Sequence, residues 1–148
     1  MHVVRILIAS NHIQPEQGEH PVQITIKISP QRIADLMVSA IEGNHMTRAW
    51  CAGVFVRGSK EKTAADLWYA EPSFYEGEFT IEVQEVKDEQ RPGTITKHRV
   101  NQEDFAKGFS LMAKNYGRHF GDFMAENDDN ITADVFLQCV ALRDVVYG

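Results

Sequence analysis

The stretch from Asn101 to Glu126 reads NQEDFAKGFSLMAKNYGRHFGDFMAE and carries the clearest periodic pattern in the chain. Its apolar side chains recur at spacings of three and four residues, as they do on a helix laid against a core. The residues of this stripe are Phe105, Phe109, Met112, Tyr116, Phe120 and Phe123. Asn101 is a good N-cap, because its side chain can accept a hydrogen bond from the free N–H groups of the first turn. The pattern predicts one long helix over this stretch.

The residues ahead of this helix predict a second helix and several strands. Val22 to Ile28 alternates apolar and polar residues, which indicates a half-buried strand. Ser29 and Pro30 follow as an N-cap and a first helical residue, and they predict a helix that ends at Gly43. Strand-like composition or alternation also occurs in Val3 to Ala9, Arg48 to Arg57, Phe79 to Val83 and Thr94 to Val100. A polar loop is predicted between the first two strands, at 11–20.

The last segment, Ile131 to Val146, predicts a final helix that is capped by Asn130 or Thr132. The patterns together predict an α+β fold. We expect an antiparallel sheet of about four to five strands with three helices, two of them consecutive at the C-terminus. A length of 148 residues predicts a single domain over residues 1–148.

Composition and charge argue against several classes of protein. The net charge is −6, which disfavours nucleic acid as a partner, since general affinity for it comes from phosphate neutralisation by Lys and Arg. The opening MHVVRILIAS is shorter than the about 20 apolar residues that span a membrane. We therefore expect no membrane partner and a soluble, cytoplasmic protein. Cys51 and Cys139 lie in apolar runs and are predicted to be buried, reduced thiols.

The sequence offers no catalytic or metal-binding signature. Four polar residues have the spacing of a calcium loop: Asp128, Asn130, Thr132 and Asp134. Ala133 and Cys139 stand where that loop needs glycine and glutamate, so a capped turn is the better interpretation. The six histidines lack a partner at helical spacing and a neighbouring CxxC. We expect no metal, no cofactor and no catalytic residue.

A basic stripe on the predicted long helix is the first candidate for ligand binding. Lys114 and Arg118 lie on it beside His119 and predict an anion site, because a guanidinium group binds phosphate through parallel N–H groups. Lys97 and Arg99 add basic groups on one face of the strand before the helix. A solvated helix face produces the same stripe, and this alternative stays open.

An aromatic group in the middle of the chain is the second candidate. Trp68 and Tyr69 are the residues predicted to stack on a base or nucleotide. Core packing or an oligomer contact is the expectation for most of the group, because aromatic residues dominate both. The group consists of Trp50, Trp68, Tyr69, Phe74 and Tyr75. Six acidic residues nearby predict an acidic strand edge that discourages pairing with another chain or, equally, faces a basic partner. They are Glu76, Glu78, Glu82, Glu85, Asp88 and Glu89.

Two segments, ITIKISPQRIADLMVSAIEGN and LMAKNYGRHFGDFMAENDDNITADVFLQCVALRDVVYG, carry a family resemblance. The matching residues of the second segment are Arg118, His119, Phe120, Asp134, Phe136, Leu137, Gln138, Tyr147 and Gly148. These ends resemble a family of small uncharacterised bacteriophage and prophage proteins. The resemblance implies a phage or prophage origin, and hence the cytoplasm of a host cell. It implies no catalytic residues.

The predicted function is that of a phage or prophage accessory binding protein rather than an enzyme. It would act on a host protein or sequester a small anionic ligand, for example to counter a host defence. The alternative is a small enzyme acting on a nucleotide, with His119 as general acid or base and Arg118 on a phosphate. His119 is flanked by Tyr116 and Phe120, so packing at the edge of the core also explains it.

A homodimer is the predicted oligomeric state. The apolar residues of the last helix spread widely around it, with Val140 and Tyr147 nearly opposite Leu142. Three glycines of the long helix would let another helix approach: Gly108, Gly117 and Gly121. Symmetric pairing through the C-terminal helices would cover the leftover apolar surface. The competing explanation is that the chain's own segments at 3–9 or 66–77 cover it.

Overall fold

The computed structural model describes residues 2–8, 22–43, 45–87, 91 and 93–148. The strands are β1 (His2–Ile8), β2 (Val22–Ile28), β3 (Cys51–Arg57), β4 (Thr80–Val86) and β5 (Ile95–Asn101). The helices are α1 (Pro30–Ile41), α2 (His45–Arg48), α3 (Gln102–Asn115), α4 (Gly117–Met124) and α5 (Asn130–Leu142). Short 3-10 turns at Gly58–Lys60, Trp68–Ala70 and Pro72–Tyr75 lie between β3 and β4. The predicted loop at 11–20 lies outside the described residues.

The strands form two antiparallel sheets rather than the single sheet that was predicted. β1 and β2 make a hairpin that lies against α3. The other three strands form a sheet in the order β3-β4-β5. The α+β class is confirmed, but the described residues contain five helices instead of three. Alternation within a strand identifies the strand without identifying its partner, which explains the wrong sheet.

The predicted long helix is two helices, α3 and α4. Its start is confirmed, since the Asn101 side chain accepts a hydrogen bond from the Asp104 backbone N at 3.1 Å and the Asp104 carboxylate accepts one from the Asn101 backbone N at 2.9 Å. Tyr116 leaves the helical region, with φ −131° and ψ 50°, and α4 starts at Gly117. One non-helical residue leaves the spacing of the apolar side chains almost unchanged. Periodicity alone therefore could not show the break.

Helix α5 lies at the centre of the helical layer. Every residue from 132 to 141 is buried, and α1, α2, α3, α4 and β5 all contact the helix. Its N-cap is Asp129, whose side chain accepts a hydrogen bond from the Thr132 backbone N at 2.9 Å, so both predicted caps were wrong. The helix ends at Leu142 because Arg143 adopts a left-handed conformation with φ 63°. Most of the apolar surface of α5 that predicted a dimer is covered by the same chain, although Ile131 is 45% exposed and Val146 in the segment after the helix is 60% exposed. The homodimer therefore stays a prediction with weaker support.

Aromatic rings connect the sheet to the helical layer. Trp50 and Tyr75 are fully buried and Phe74 is buried as well, which confirms their predicted place in the core. Ring centroids are 5.0 Å apart for Phe79 and Phe105 and 5.6 Å apart for Phe105 and Phe136. The sheet therefore presents one face to the helices and the other face away from them.

Gly108 lies where α3 and α5 approach closely. A Cβ atom placed on Gly108 would lie 2.5 Å from Val140 Cγ2 and 3.0 Å from Val140 Cα. A Cβ atom placed on Gly121 in α4 would have no atom of another described residue within 4 Å, apart from its chain neighbours and its own helix backbone. The predicted helix contact at Gly108 is thus made within one chain, whereas the surface around Gly121 is open.

These two glycines give a matched pair of substitutions. We expect Gly108→Ala to lower the free energy of unfolding by about 1 to 3 kcal/mol, because the backbone of α5 must shift to admit the methyl group. Gly121→Ala should raise it by up to about 1 kcal/mol, since alanine favours the helix and nothing opposes the added atom. Urea unfolding of both variants measures the difference. Equal stability of Gly108→Ala and the wild type would contradict the close helix contact.

Candidate functional site

The three-stranded sheet has a covered face and an open face. Ile81, Val83 and Val100 are buried on the covered face, against the helices. The open face carries Phe55, Arg57, Thr80, Glu82, Gln84, Val86, Ile95, Lys97 and Arg99. Phe55 is 41% exposed, and the Arg99 side chain is 67% exposed. The register places Phe55, Glu82 and Arg99 in one row across the three strands, with Gly53, Gln84 and Lys97 in the next row.

Glu82 is the buried centre of the open face, with a side chain only 3% exposed. Its Oε2 lies 3.4 Å from Arg57 Nε and 3.8 Å from Arg99 Nε. Its Oε1 accepts a hydrogen bond from Gln84 Nε2 at 2.9 Å. The hydrogen bond from Gln84, together with the charges of Arg57 and Lys97, outweighs the effect of burial and lowers the pKa of Glu82. The carboxylate is therefore ionised at neutral pH and forms ion pairs with Arg57 and Arg99.

The open face is basic on a chain whose net charge is −6. Three cations, those of Arg57, Lys97 and Arg99, surround the single carboxylate of Glu82. Lys97 makes no hydrogen bond or ion pair to another described residue, and Arg99 reaches Glu82 with only one side of its guanidinium group. Both side chains thus keep N–H donors free for an anion.

Phe55 is held in an unusual place on the open face. The edge of its ring lies over Gly53, because a Cβ atom on Gly53 would be 2.7 Å from both Cε2 and Cζ of the ring. The register of β3 on β4 also shifts between Cys51 and Gly53, which marks a β-bulge. The guanidinium carbon of Arg57 lies 5.5 Å from the ring centroid on the same strand. Glycine is therefore the residue that lets this ring lie along the strand.

The basic residues predicted to bind an anion on α3 and α4 make fewer contacts than those of the open face. Lys114 and Arg118 are exposed and make no hydrogen bond or ion pair within the described ranges. His119 is half-buried, and its Nδ1 lies 3.2 Å from Thr132 Oγ1. The position of His119 beside the N-terminal turn of α5 agrees with a histidine packed at the edge of the core.

The structure does not bring the predicted aromatic pair to these basic residues. Trp68 is buried, and its ring packs against Phe74 with centroids 4.6 Å apart. The hydroxyl of Tyr69 donates a hydrogen bond to Glu42 Oε1 at 2.7 Å, at the end of α1. Within the described part of the chain, no hydrogen bond, ion pair or ring contact joins either residue to His119. The five predicted site residues therefore form two separate groups.

Trp68 lines an open cleft of about 320 Å³ beside the 3-10 turns. The other lining residues are Lys60, Thr63, Ala64, Ala65, Glu71, Ser73 and Phe74. The ammonium group of Lys60 donates to the carbonyl oxygens of Phe74 at 2.8 Å and Glu76 at 3.3 Å. Because Lys60 already closes this loop and Glu71 adds a negative charge, the cleft is poorly suited to an anion.

Sequence reasoning missed a buried polar network on α5. The carboxyl group of Asp134 accepts hydrogen bonds from Thr47 Oγ1 at 2.9 Å, Trp50 Nε1 at 2.8 Å and Gln138 Nε2 at 2.8 Å. Gln138 Oε1 in turn accepts the backbone N–H groups of residues 146 and 147, at 2.8 Å and 2.9 Å. The network therefore fastens the C-terminal tail, residues 143–148, to the core.

The same network continues onto the covered face of the sheet. Glu85 accepts a hydrogen bond from the Tyr147 hydroxyl at 2.7 Å and lies 2.7 Å from His98 Nε2. Burial opposes ionisation of Glu85, but the hydrogen bonds from His98 and Tyr147 outweigh it and lower the pKa of the carboxyl group. The hydrogen bond to Glu85 also raises the pKa of Tyr147 to about 12. A carboxylate and histidine pair can serve catalysis, yet here it is tied to the tail, and we assign it to stability.

The predicted acidic edge on β4 is wrong. β4 is the central strand of its sheet, and Glu82 and Glu85 lie on its opposite faces, each with basic or hydrogen-bonding partners. A central strand is paired with a neighbour along both of its edges, whereas the prediction placed β4 at an edge. Asp88 and Glu89 lie outside the described residues.

Neither cysteine has the properties of a nucleophile. Cys139 is fully buried and Cys51 half-buried, and both are free thiols. Burial raises the pKa of Cys139 to about 12 and that of Cys51 to about 11, so both thiols stay protonated at neutral pH. The prediction of a buried, reduced thiol is confirmed for Cys139, while Cys51 is less buried than expected.

The fold and the open face define a small α+β protein whose helix-packed sheet presents a basic outer surface. The described residues contain no cluster of His, Cys, Asp or Glu that could hold a metal ion. Among them there is also no helix with the length and apolar character needed to cross a bilayer. No family model, curated protein or solved structure matches the chain. The resemblance of its ends to small phage proteins therefore stays a prediction.

Proposed function

We propose that this chain is a binding protein without catalytic activity that holds a small anionic ligand on the open face of its sheet. The observation that carries the proposal is the set of three cations, Arg57, Lys97 and Arg99, arranged around buried Glu82. The accessory role in a phage or prophage, inside the host cytoplasm, belongs to the same proposal. That role is supported by the resemblance of the chain ends alone.

The arrangement favours an anion because three cations lie close together and Arg57 is positioned before binding. Glu82 fixes the guanidinium group of Arg57 through contacts to both carboxylate oxygens, at 3.4 Å each. Lys97 and Arg99 are two residues apart on β5, so their backbones are separated by about 7 Å on one face of the strand. A ligand with one or two anionic groups can contact both side chains at once. Ordering the site in advance lowers the entropy cost of binding.

The alternative function, a nucleotide-acting enzyme that uses His119 and Arg118, has less support from the geometry. A general acid or base is usually oriented by a third group, often a carboxylate. His119 instead contacts the hydroxyl of Thr132, and the carboxylate that caps α5, Asp129, is occupied by the backbone N–H of the same residue. Arg118 is exposed on α4, and it does not line the cleft beside Trp68.

Two charge-matched double variants test the proposed site against the predicted one. Calorimetric titration with pyrophosphate is expected to show binding to the wild type. Lys97→Gln with Arg99→Gln should weaken it by about ten-fold or more, because each charge-assisted hydrogen bond contributes about 1.5 to 3 kcal/mol. Lys114→Gln with Arg118→Gln removes the same charge from the helix stripe and should change the affinity by less than about two-fold, since exposed charges are screened.

Three results of this titration would contradict the proposal. An equal loss of affinity in the two double variants would mean that pyrophosphate responds only to net charge. If the wild type did not bind pyrophosphate at all, the open face would not be an anion site. A larger loss in the Lys114 and Arg118 variant would place the site on the helix stripe instead.

A further inference from the structure

We infer that the ligand of the open face carries an aromatic ring as well as a phosphate, and that it is a free mononucleotide. This inference rests on the proposed function and adds the class of ligand. It is drawn from the placement of Phe55, which the binding of a simple anion does not require.

The ring of Phe55 has the features of a stacking platform. A single exposed apolar residue is ordinary on a protein surface. Phe55, however, lies over Gly53 at a β-bulge, with the guanidinium group of Arg57 5.5 Å from its centroid. These contacts fix the ring on the sheet while leaving it 41% exposed. A fixed, exposed ring beside cations is the arrangement on which nucleic-acid bases stack in single-strand binding proteins.

The distances across the sheet suit one nucleotide. Phe55 and Arg99 are separated by the single residue Glu82 in the middle strand, so their backbones are about 10 Å apart. A base on Phe55 would place its sugar above β4 and its phosphates against Arg99 and Lys97. Gln84 lies in the next row, between Gly53 and Lys97. Its Nε2 donates a hydrogen bond to Glu82, and its amide oxygen accepts none from a described residue. That oxygen can accept a hydrogen bond from a sugar hydroxyl or a base amine.

A free nucleotide fits this face better than a nucleic-acid strand or an acidic protein. Strand binding needs successive stacking rings and a track of cations. The described open face has one aromatic side chain and three cations, on a chain with a net charge of −6. An acidic protein surface would use the cations but would leave the Phe55 platform without a role.

Four probes separate these possibilities: ADP, adenosine, pyrophosphate and an eight-nucleotide oligodeoxythymidine, each titrated into the protein at the same low salt concentration. We expect ADP to bind about ten-fold or more tightly than either pyrophosphate or adenosine, because of these three compounds only ADP carries both the ring and the phosphates. Phe55→Ala should abolish this advantage of ADP while leaving the affinity for pyrophosphate unchanged. Gly53→Ala should also reduce it, because the new methyl group displaces the ring without removing it.

A matched control and the stability of the variants make the result interpretable. Leu67→Ala removes a side chain that is 56% exposed elsewhere on the chain, and it should leave the binding of ADP unchanged. Circular dichroism and thermal melting check that Phe55→Ala is folded, which its exposed position favours.

Each remaining outcome bears on a different proposal. If pyrophosphate binds and ADP binds no more tightly, the inference is overturned while the proposed anion site stands. If no probe binds to the wild type, both are overturned. If the oligonucleotide bound more tightly than ADP, the inference of a free nucleotide would be overturned, and the ligand would be a nucleic-acid strand.

Discussion

Asp134→Ala is expected to lower the free energy of unfolding by about 3 to 5 kcal/mol, because buried hydrogen-bond donors lose the acceptor that they share. Asp134 is 2% exposed, and its carboxyl group accepts hydrogen bonds from the side chains of Thr47, Trp50 and Gln138. Alanine leaves these three donors facing a cavity. Because Gln138 holds the backbone of residues 146 and 147, the C-terminal tail should loosen as well.

The loss at Asp134 can be measured by urea unfolding together with amide hydrogen exchange of the tail. Asp134→Asn should lose less stability than Asp134→Ala, since asparagine keeps one oxygen acceptor and the shape of the side chain. It also provides a folded variant if Asp134→Ala does not fold. Asp66→Ala is the control, because Asp66 is exposed and makes no hydrogen bond to a described residue. If Asp134→Ala were as stable as this control, the network would not hold the tail.

Local patterns were sufficient for the elements that depend on neighbouring residues. The alternation in Val22 to Ile28 and the cap and proline before α1 are both observed, with Ser29 Oγ accepting a hydrogen bond from the Arg32 backbone N at 3.3 Å. The capping box at the start of α3 follows from Asn101 and Asp104 in the same way. In these cases the residues that specify the structure lie within one turn or one strand of each other.

Features that depend on distant residues could not be predicted. The break at Tyr116 coincides with hydrogen bonds between its hydroxyl group and the tail, at Asp144 and at the backbone N of Val145. The network of Asp134 joins residues more than eighty positions apart. Both features depend on where the C-terminal tail packs. The periodicity of the sequence carries no information about that position.

The candidate site was predicted only in part. Lys97 and Arg99 were recognised as basic residues on one strand face, whereas Phe55 and Arg57 were assigned to a strand without a role. A signal was present, because Gly53, Phe55 and Arg57 are two positions apart and so share a face of a strand. What the sequence lacked was the register that sets them beside Lys97 and Arg99 across β4.

The two faces of the sheet have different tasks in this interpretation. On the covered face, Glu85 binds Tyr147 and His98 and fastens the tail to the core. On the open face, Glu82 orders cations that remain exposed to solvent. Glutamate residues on β4 thus contribute to stability on the covered face and, as we propose, to ligand binding on the open face.

Phe109→Ala is expected to lower the free energy of unfolding by about 3 to 5 kcal/mol, because α3 contributes this ring to the centre of the core. Phe109 is 1% exposed, with its ring centroid 4.4 Å from that of Phe136 and 5.4 Å from that of Phe123. Phe120→Ala is the matched control on α4, where the ring is half-buried and 6.3 Å from Phe123, and it should cost about 1 to 2 kcal/mol. Urea unfolding with fitted slopes measures both values. An equal cost for the two variants would contradict the division of the predicted long helix into a core helix, α3, and a peripheral one, α4.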